Sequence, residues 1–426
     1  MFDLATKKHN SLNFLDLFAG AGGLSEGFIR AGFMPIAHVE ADTGAAFTLQ
    51  TREAMHILKA HDELETYTSY ISGKISRNHL YSSAFKFGPS SIINATIGRQ
   101  NLDNIFSRID ALVGNQKIDL IIGGPPCQAY SLVGRARSQL KMVGDKRNYL
   151  FIYYAEFLKR YRPQIFIFEN VVGLLTARET DGTRYLDMMI SLFREIGYSI
   201  EFRVLSADEY GVPQKRRRII LVGKAGKHDG FFPEPDKVPV DFLVKDAIGD
   251  LPPLNAGQGA PYNTKIRKAP SHWLVESGLL SGSGSITWHD ARPHNTRDLE
   301  IFTEVVKRWS EKRERLSYND LPEGLKTHKN RNSFLDRFKV VAADLPASHT
   351  VVAHIAKDGN YYIHPDISQN RSLTPREAAR IQTFPDDYFF ESASGKPSRT
   401  SAFKQIGNAV PVILSEKIAN TLIRSW

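Results

Sequence analysis

Leu12-Asn13-Phe14-Leu15-Asp16-Leu17-Phe18-Ala19-Gly20-Ala21-Gly22-Gly23-Leu24 joins a compact apolar strand, Leu12 to Phe18, to the start of a helix through a turn of small residues. A strand that ends in glycines and opens directly into a helix brings backbone N–H groups close to a nucleotide-like ligand. Gly22 to Ala31 reads as that helix, with Leu24 and Phe28 on one face and Gly32 as its stop, and Met34 to Glu40 reads as the second strand. The turn does not complete a Gly-x-Gly-x-x-Gly dinucleotide fingerprint, because Ser25 stands where the third glycine would be. Glu40, twenty residues beyond Gly20, is placed to accept hydrogen bonds from ribose hydroxyls. A ligand with an adenosine and no pyrophosphate satisfies both features, and S-adenosylmethionine is such a ligand. The bland alternative is an ordinary strand–helix turn.

Outward from this unit, strand-like and helix-like segments alternate, which predicts an α/β fold with a largely parallel sheet covered by helices on both faces. Ile118 to Ile122 is a buried strand, Tyr149 to Tyr161 an aromatic-rich helix ended before Pro163, and Ile165 to Phe168 a further strand. Arg184 to Ile196 is a helix stopped by Gly197, and Arg218 to Val222 closes the series. Thr51 to Ser91 is polar, rich in Tyr and Ser, and reads as an insertion of helices and loop. After Gly223 the chain to about Pro270 is dense in Pro, Gly and Asp, as in a linker with extended crossings into a second domain. Residues 261–340 mix 15 Lys+Arg with 10 Asp+Glu, which fits a nucleic-acid surface and a solvated mixed-charge surface equally well. Thr374-Pro375-Arg376-Glu377 supplies an N-cap, a first-turn proline and a capping-box glutamate, so a helix begins there, and a last one starts at Pro411.

Composition narrows the partners. Among 426 residues, 55 Lys+Arg against 46 Asp+Glu give a net charge of +9, suited to nucleic acid or an anionic surface. A single cysteine excludes an intrachain disulfide and a cysteine-based zinc cluster, and no metal site is expected. Met1 to Asn10 lacks the apolar core of a signal peptide, and no run of 18 or more apolar residues occurs, so the chain reads as soluble, intracellular and without a membrane partner.

That one cysteine lies in Gly123-Gly124-Pro125-Pro126-Cys127-Gln128-Ala129-Tyr130-Ser131, directly after the strand Ile118 to Ile122. Lone cysteines are usually inert core fillers. Two glycines and two prolines at the carboxyl end of a strand, where open α/β sheets bind ligands, instead suggest a nucleophile. Phe168-Glu169-Asn170-Val171 puts a carboxylate at the end of another core strand, where it could also simply cap a helix. Gln214-Lys215-Arg216-Arg217-Arg218 places Gln214, Arg216 and Arg218 on one face if extended, or is merely a basic turn.

Taken in order, these motifs resemble the DNA (cytosine-5)-methyltransferases, especially the single-chain bacterial restriction-modification type. The likeness is colinear over residues 11–224 and 371–424 and includes the stretch Arg371-Ser372-Leu373-Thr374-Pro375-Arg376-Glu377 and Gln405-Ile406-Gly407-Asn408-Ala409-Val410-Pro411. It implies a Rossmann-like S-adenosylmethionine-dependent methyltransferase fold, with a mixed, mostly parallel sheet, plus a smaller irregular target-recognition domain. Residues 1–228 and 368–426 would form a discontinuous catalytic and cofactor-binding domain, and residues 229–367 the recognition domain.

The resemblance also implies roles. Carbon 5 of cytosine is a poor nucleophile until a thiolate adds to carbon 6, which would be the task of Cys127. Glu169 would hold or share a proton with ring nitrogen 3, Arg218 would contact the base carbonyl, and Arg216 would support the site or a phosphate. The cofactor would lie against Phe18, Ala19, Gly20, Gly22, Gly23, Leu24, Glu40 and Pro125, with Asn408 and Ala409 completing its methionine side. The family's acidic contact to the adenine amino group is replaced here by Ile93-Asn94-Ala95-Thr96-Ile97, so Asn94 or Thr96 would substitute.

Because chemistry on a base requires its extrusion from the duplex, the implied partner is double-stranded DNA with a flipped cytosine. Gln128, Ser131, Arg135, Arg137 and Thr350 would contact it. Ser131 to Lys146, with Gly134 and Gly144 near its ends, reads as a loop that closes over DNA. The resemblance further implies a monomer acting in the bacterial cytoplasm at the nucleoid, with any cognate restriction endonuclease working separately. An RNA cytosine-5 methyltransferase and a non-catalytic DNA-binding protein of the same fold are the alternatives.

Overall fold

The computed structural model describes residues 12–126, 149–265, 269–280 and 284–426. Seven strands make the central sheet: β1 (Asn13–Leu17), β2 (Met34–Glu40), β3 (Ile92–Asn94), β4 (Leu120–Gly123), β5 (Ile165–Val171), β6 (Tyr198–Ser206) and β7 (Arg217–Ala225). Their spatial order is β3-β2-β1-β4-β5-β7-β6. Pairing is parallel from β3 through β5, and β7 runs antiparallel between β5 and β6. The order reverses between β1 and β4, which opens a crevice at the carboxyl ends of the parallel strands. The start of β7 meets the end of β5 at that same rim, with Arg218 opposite Val171.

Both faces of the sheet are buried, and the alternation of side chains sorts the core into two layers. Phe14, Leu120, Ile122, Ile165, Ile167, Ile220 and Val222 pack on one face against Leu24 and Phe28 of helix Gly23–Arg30 and Ile413, Leu414 and Ile418 of helix Val412–Arg424. Leu15, Leu17, Ile121, Phe166, Phe168, Ile219 and Leu221 pack on the other, under helices Leu102–Val113, Leu150–Tyr161 and Tyr185–Glu195. Each such side chain contributes roughly 1.5–3 kcal/mol on burial. Amino- and carboxyl-terminal segments thus share one layer: Gly27 of the first helix lies so close to Val412 and Ser415 that a Cβ there would sit 2.4 Å from the Ser415 Cβ.

Several expectations need revision. Strand β6 was not anticipated, because at the sheet edge its residues are mostly half-buried and show no clean alternation. The closing strand is longer than Arg218 to Val222 and antiparallel. The polar stretch from Thr51 to Ser91 consists of helices, Thr43–Ala60, Leu64–Ile71 and Arg77–Ala84, but they are integral to the core. Tyr67 and Tyr70 are buried with their hydroxyls satisfied: Tyr67 donates to the Asp387 carbonyl at 2.7 Å and Tyr70 to Glu391 at 2.5 Å.

The helix predicted at Thr374 forms as Pro375–Ile381, with Thr374 accepting from Glu377 N at 3.2 Å and Glu377 accepting from Thr374 N at 2.7 Å. The arginines around it are wholly buried. Arg371 pairs with Glu377 at 2.7 Å, Arg380 pairs with Asp386 at 2.7 Å and with Asp250, and Arg376 donates to the carbonyls of Thr287, Pro385 and Tyr388. These bonds fasten residues 250–291 to the chain's last segment. Accordingly, Val244, Ala247, Ile248 and Trp288 share a core with Ala378, Ala379 and Phe403, whereas helix Thr296–Lys312 builds a separate small core with Leu316, Tyr318, Phe338 and Val340. No helix among the described residues is long and apolar enough to cross a membrane.

Candidate active site

At the end of β1 the chain turns through Phe18, which takes a left-handed φ of +58° although it is not glycine. Such a conformation is disfavoured for a bulky side chain and tends to persist where a site requires it. Gly20 N–H donates to Glu40 Oε2 at 2.7 Å, and Asp42 N–H donates to Glu40 Oε1 at 2.7 Å, so the carboxylate at the end of β2 fastens the turn. Burial pushes the Glu40 carboxyl above the ordinary range, against the pull of those two amides.

The glycines of the turn are not equivalent. A Cβ on Gly23 would sit 2.3 Å from the Val410 carbonyl oxygen and 3.1 Å from the Ala409 Cβ, and one on Gly22 would sit 2.8 Å from Leu49 and 2.9 Å from the Tyr388 hydroxyl. Gly20 has nothing within 4 Å of that position. The turn is therefore closed on the protein side and open at Gly20, a cradle that fits the amino-acid part of S-adenosylmethionine. Ala409 and Val410 reach the same turn from the other end of the chain, and Asn408, exposed at the end of helix Arg399–Asn408, directly precedes them.

Two of the residues expected around the cofactor are placed differently. The Leu24 side chain points into the core beside Phe14 and Phe28, so only its backbone faces the turn. Asn94 ends β3 with its amide committed to the adjoining loop: Nδ2 donates to the carbonyls of Glu40 at 2.9 Å and Ala41 at 3.2 Å, and Oδ1 accepts from Thr43 at 3.1 Å. Its remaining capacity is as an acceptor, which is what an adenine amino group needs. Thr96 lies past the strand.

At the rim where the end of β5 meets the start of β7, Glu169 meets Arg218, Oε1 to Nε at 2.7 Å, with side-chain exposures of 14% and 11%. The antiparallel insertion of β7 makes this pair possible. Gly124 forms the wall of the carboxylate: a Cβ there would lie 2.5 Å from Glu169 Oε2 and 3.0 Å from the Glu169 carbonyl oxygen. Asn170 donates to the Pro125 carbonyl at 3.2 Å, tying the Gly124-Pro125-Pro126 turn to the strand that carries Glu169. Cys127, Gln128, Ser131, Arg135 and Arg137, with the whole stretch Ser131 to Lys146, lie outside the described residues.

Arg216 does not share the rim with Arg218. Residues 214–216 precede β7, and the Arg216 side chain is fully buried, donating to the Val351 carbonyl at 2.7 Å and the Gly407 carbonyl at 3.1 Å. Bonded to these two backbone carbonyls, the Arg216 guanidinium ties the segments of Val351 and Gly407 together, which is the supporting part of its expected role. Thr350 lies beside this segment, its hydroxyl donating to the Lys215 carbonyl at 2.5 Å.

Sequence reasoning missed Gly124 and Asn170 as the wall and tether of the Glu169 pocket, and Tyr388, which donates to the Ala21 carbonyl at 2.6 Å beneath the glycine turn. It also passed over Asp16, 1% exposed, whose carboxyl burial pushes well above the ordinary range while Ser25 opposes the shift. A charged residue inside an otherwise apolar strand was the available signal. Among the described residues, no group of three or more His, Cys, Asp or Glu could hold a metal ion.

Residues 12–76 and 89–424 match the profile of the C-5 cytosine-specific DNA methylases. The chain is 40% identical to the type II methyltransferase M.Bpa9945I of Bacillus paralicheniformis, over 96% of this chain and 98% of that protein. It is 30% identical to the type II methyltransferase M1.HphI of Haemophilus parahaemolyticus, over 97% and 87% respectively. Among solved structures, the Entamoeba histolytica methyltransferase EhMeth has a similar fold, with a TM-score of 0.55 at 13% identity, covering 98% of this chain and 99% of that one.

Proposed function

From the premise that the chain belongs to the C-5 cytosine-specific DNA methylases, enzymes that use S-adenosylmethionine, we propose how its residues divide the work on a flipped cytosine in duplex DNA. The observation that carries the reading is the Glu169–Arg218 pair at 2.7 Å, set at the strand ends directly beside the Gly124-Pro125-Pro126 turn that leads into Cys127. Cys127 adds as thiolate to carbon 6, which makes carbon 5 enamine-like. Glu169 carries or shares the proton at ring nitrogen 3 and so relieves the charge that develops as sulfur adds. Arg218 holds Glu169 in place through Nε and offers its remaining guanidinium donors to the base carbonyl oxygen. Attack of carbon 5 on the methyl group breaks its bond to the sulfonium sulfur and would leave S-adenosylhomocysteine; a base then takes the carbon-5 proton, and the released electron pair expels the Cys127 sulfur as thiolate and restores the aromatic ring.

The bound cofactor supplies the methyl group. Phe18, Ala19, Gly20, Glu40, Asn408 and Ala409 would hold it, Glu40 as an acceptor for the ribose and the open Gly20 backbone by leaving room for the amino-acid part. Asn94 Oδ1 takes the place of an acidic acceptor for the adenine amino group.

Residues 229–367 read the sequence, with helix Thr296–Lys312 and the segment to Val340 as their independent part and Thr350 as the backbone contact near the flipped base. The type II methyltransferase name of its relatives supports a role in protecting host DNA; in this reading the chain acts as a monomer, and any endonuclease works separately. Expression in a methylation-free bacterial host followed by bisulfite sequencing of host DNA tests the whole reading. One cytosine in one short sequence context should become resistant; unmodified DNA with modified transfer RNA would overturn it.

A further inference from the structure

Three chain segments that are far apart in sequence converge on the backbone of one buried residue. Val351 has its N–H bonded to Gln214 Oε1 at 2.7 Å and its carbonyl bonded to Arg216 Nη1 at 2.7 Å. Both partners continue to residues 406–409: Arg216 Nη2 donates to the Gly407 carbonyl at 3.1 Å, while Gln214 Nε2 donates to Gln382 Oε1 at 2.9 Å and Gln382 Nε2 donates to the Ile406 carbonyl at 2.7 Å. Gln214, Arg216, Val351 and Gln382 are each fully buried. The backbones also touch, since a Cβ on Gly407 would lie 2.3 Å from Ala353 N and 2.4 Å from the Val352 carbonyl carbon.

The first of these segments runs directly into Arg218, the second begins with Thr350, and the third ends in Asn408 and Ala409. A clasp of directional bonds in a dry interior is rigid and costly to break, because each orphaned group would lose about 1–3 kcal/mol. Ordering any one segment therefore lowers the entropy cost of ordering the others, which is a source of positive cooperativity that requires no change of shape.

We infer that Gln214, Arg216 and Gln382 are positioning residues whose clasp on Val351 couples the cofactor-contacting segment 406–409 to the DNA-contacting segment at Thr350. The inference rests on the proposed placement of cofactor at Asn408 and DNA at Thr350. It goes beyond that placement by giving the three residues a thermodynamic role that neither contact requires.

The test is a binding cycle with S-adenosylhomocysteine and a duplex carrying the methylated sequence, each titrated alone and in the presence of the other. The wild type should bind each ligand about tenfold more tightly when the other is present, equally in both directions. Arg216→Lys keeps the charge but cannot span both carbonyls, and Gln382→Met keeps the volume but removes the amide link; in each the factor should fall to within about twofold of unity. Leu158→Val, in the sheet's other layer, controls for lost stability and should retain the wild-type factor. Coupling absent from the wild type, preserved in both clasp variants, or lost equally in Leu158→Val overturns the inference; if Arg216→Lys does not fold, Gln382→Met decides. Asn408→Ala and Thr350→Val, titrated alone, test the placement itself. An unchanged affinity in either removes the premise, a failure distinguishable from loss of coupling.

Discussion

Gly124→Ala isolates the role of the Glu169 carboxylate without changing any charged group. The added methyl would stand 2.5 Å from Glu169 Oε2, so the carboxylate must move by about 0.9 Å to regain ordinary contact. The most displaced atom is the far end of a side chain, the Glu169 carbonyl oxygen at 3.0 Å must give by only a few tenths of an ångström, and Gly124 φ is not in the left-handed region, so the cost in stability should be modest, about 1–2 kcal/mol. The chemical cost should be much larger. Glu169 is held by Arg218 through its other oxygen at 2.7 Å, and rotation away from the methyl either breaks that bond or withdraws both groups from the base. Misplacement of a reacting group by about 1 Å commonly costs on the order of 100-fold in rate. Transfer of tritiated methyl groups from S-adenosylmethionine to duplex DNA should show kcat reduced by about that factor, with S-adenosylhomocysteine affinity unchanged in calorimetry. A rate within twofold of wild type in a folded variant would refute the claim that the carboxylate must hold this position.

Gly23→Ala should act on the cofactor side instead: its methyl meets the Val410 carbonyl at 2.3 Å, a backbone atom that cannot step aside, so cofactor affinity should fall at least tenfold, and unaltered calorimetric binding would contradict the closed turn. Stability should fall between pH 6.5 and 4, because burial holds His38, His349 and His364 at about 4; their folded values lie below the unfolded value, so the unfolded chain takes up protons first as pH drops. About 1 kcal/mol per histidine should be lost by pH 5.5, seen as a melting temperature a few degrees below that at pH 7.5, and a flat profile would exclude neutral burial of these rings. Arg218→Gln should lower kcat by roughly 100-fold while leaving cofactor binding intact, since the variant loses the charge beside Glu169 and a donor to the base; activity near wild type would remove Arg218 from the chemistry.

The sequence made the central unit legible because its signals are local. Glycines at Gly20, Gly22 and Gly23, the apolar strand before them and the capping box at Thr374 each determine backbone conformation within a few residues. Glu40, Glu169 and Arg218 could be nominated because strand ends in such a sheet gather at one rim. Strand β6 escaped notice because edge strands bury too little to impose a pattern. The antiparallel sense of β7 was equally hidden, since hydrophobic alternation is the same in either direction. Arg216 shows the sharper failure: alternation along an extended chain put it with Arg218, but the strand begins only at Arg217, and the residue before it turns inward to backbone carbonyls contributed by segments more than 130 positions away. Between Thr51 and Ser91 the expected helices form, but polarity hid the burial of Tyr67 and Tyr70, which depends on partners at Asp387 and Glu391 that only the tertiary structure supplies.

The central claim, that methylation proceeds through a bond from Cys127 to the base beside Glu169 and Arg218, is tested most directly with duplex DNA containing 5-fluorocytosine at the methylated position. Fluorine cannot leave carbon 5 as a proton does, so after methyl transfer the sulfur cannot depart. Wild-type protein should accumulate as a denaturant-stable adduct with DNA and cofactor-derived methyl in one-to-one ratio, with the linkage mapped by mass spectrometry to the peptide holding Cys127, and Cys127→Ser should form none. A wild-type enzyme that methylates ordinary DNA yet forms no adduct, or an adduct that persists in Cys127→Ser, would contradict the account.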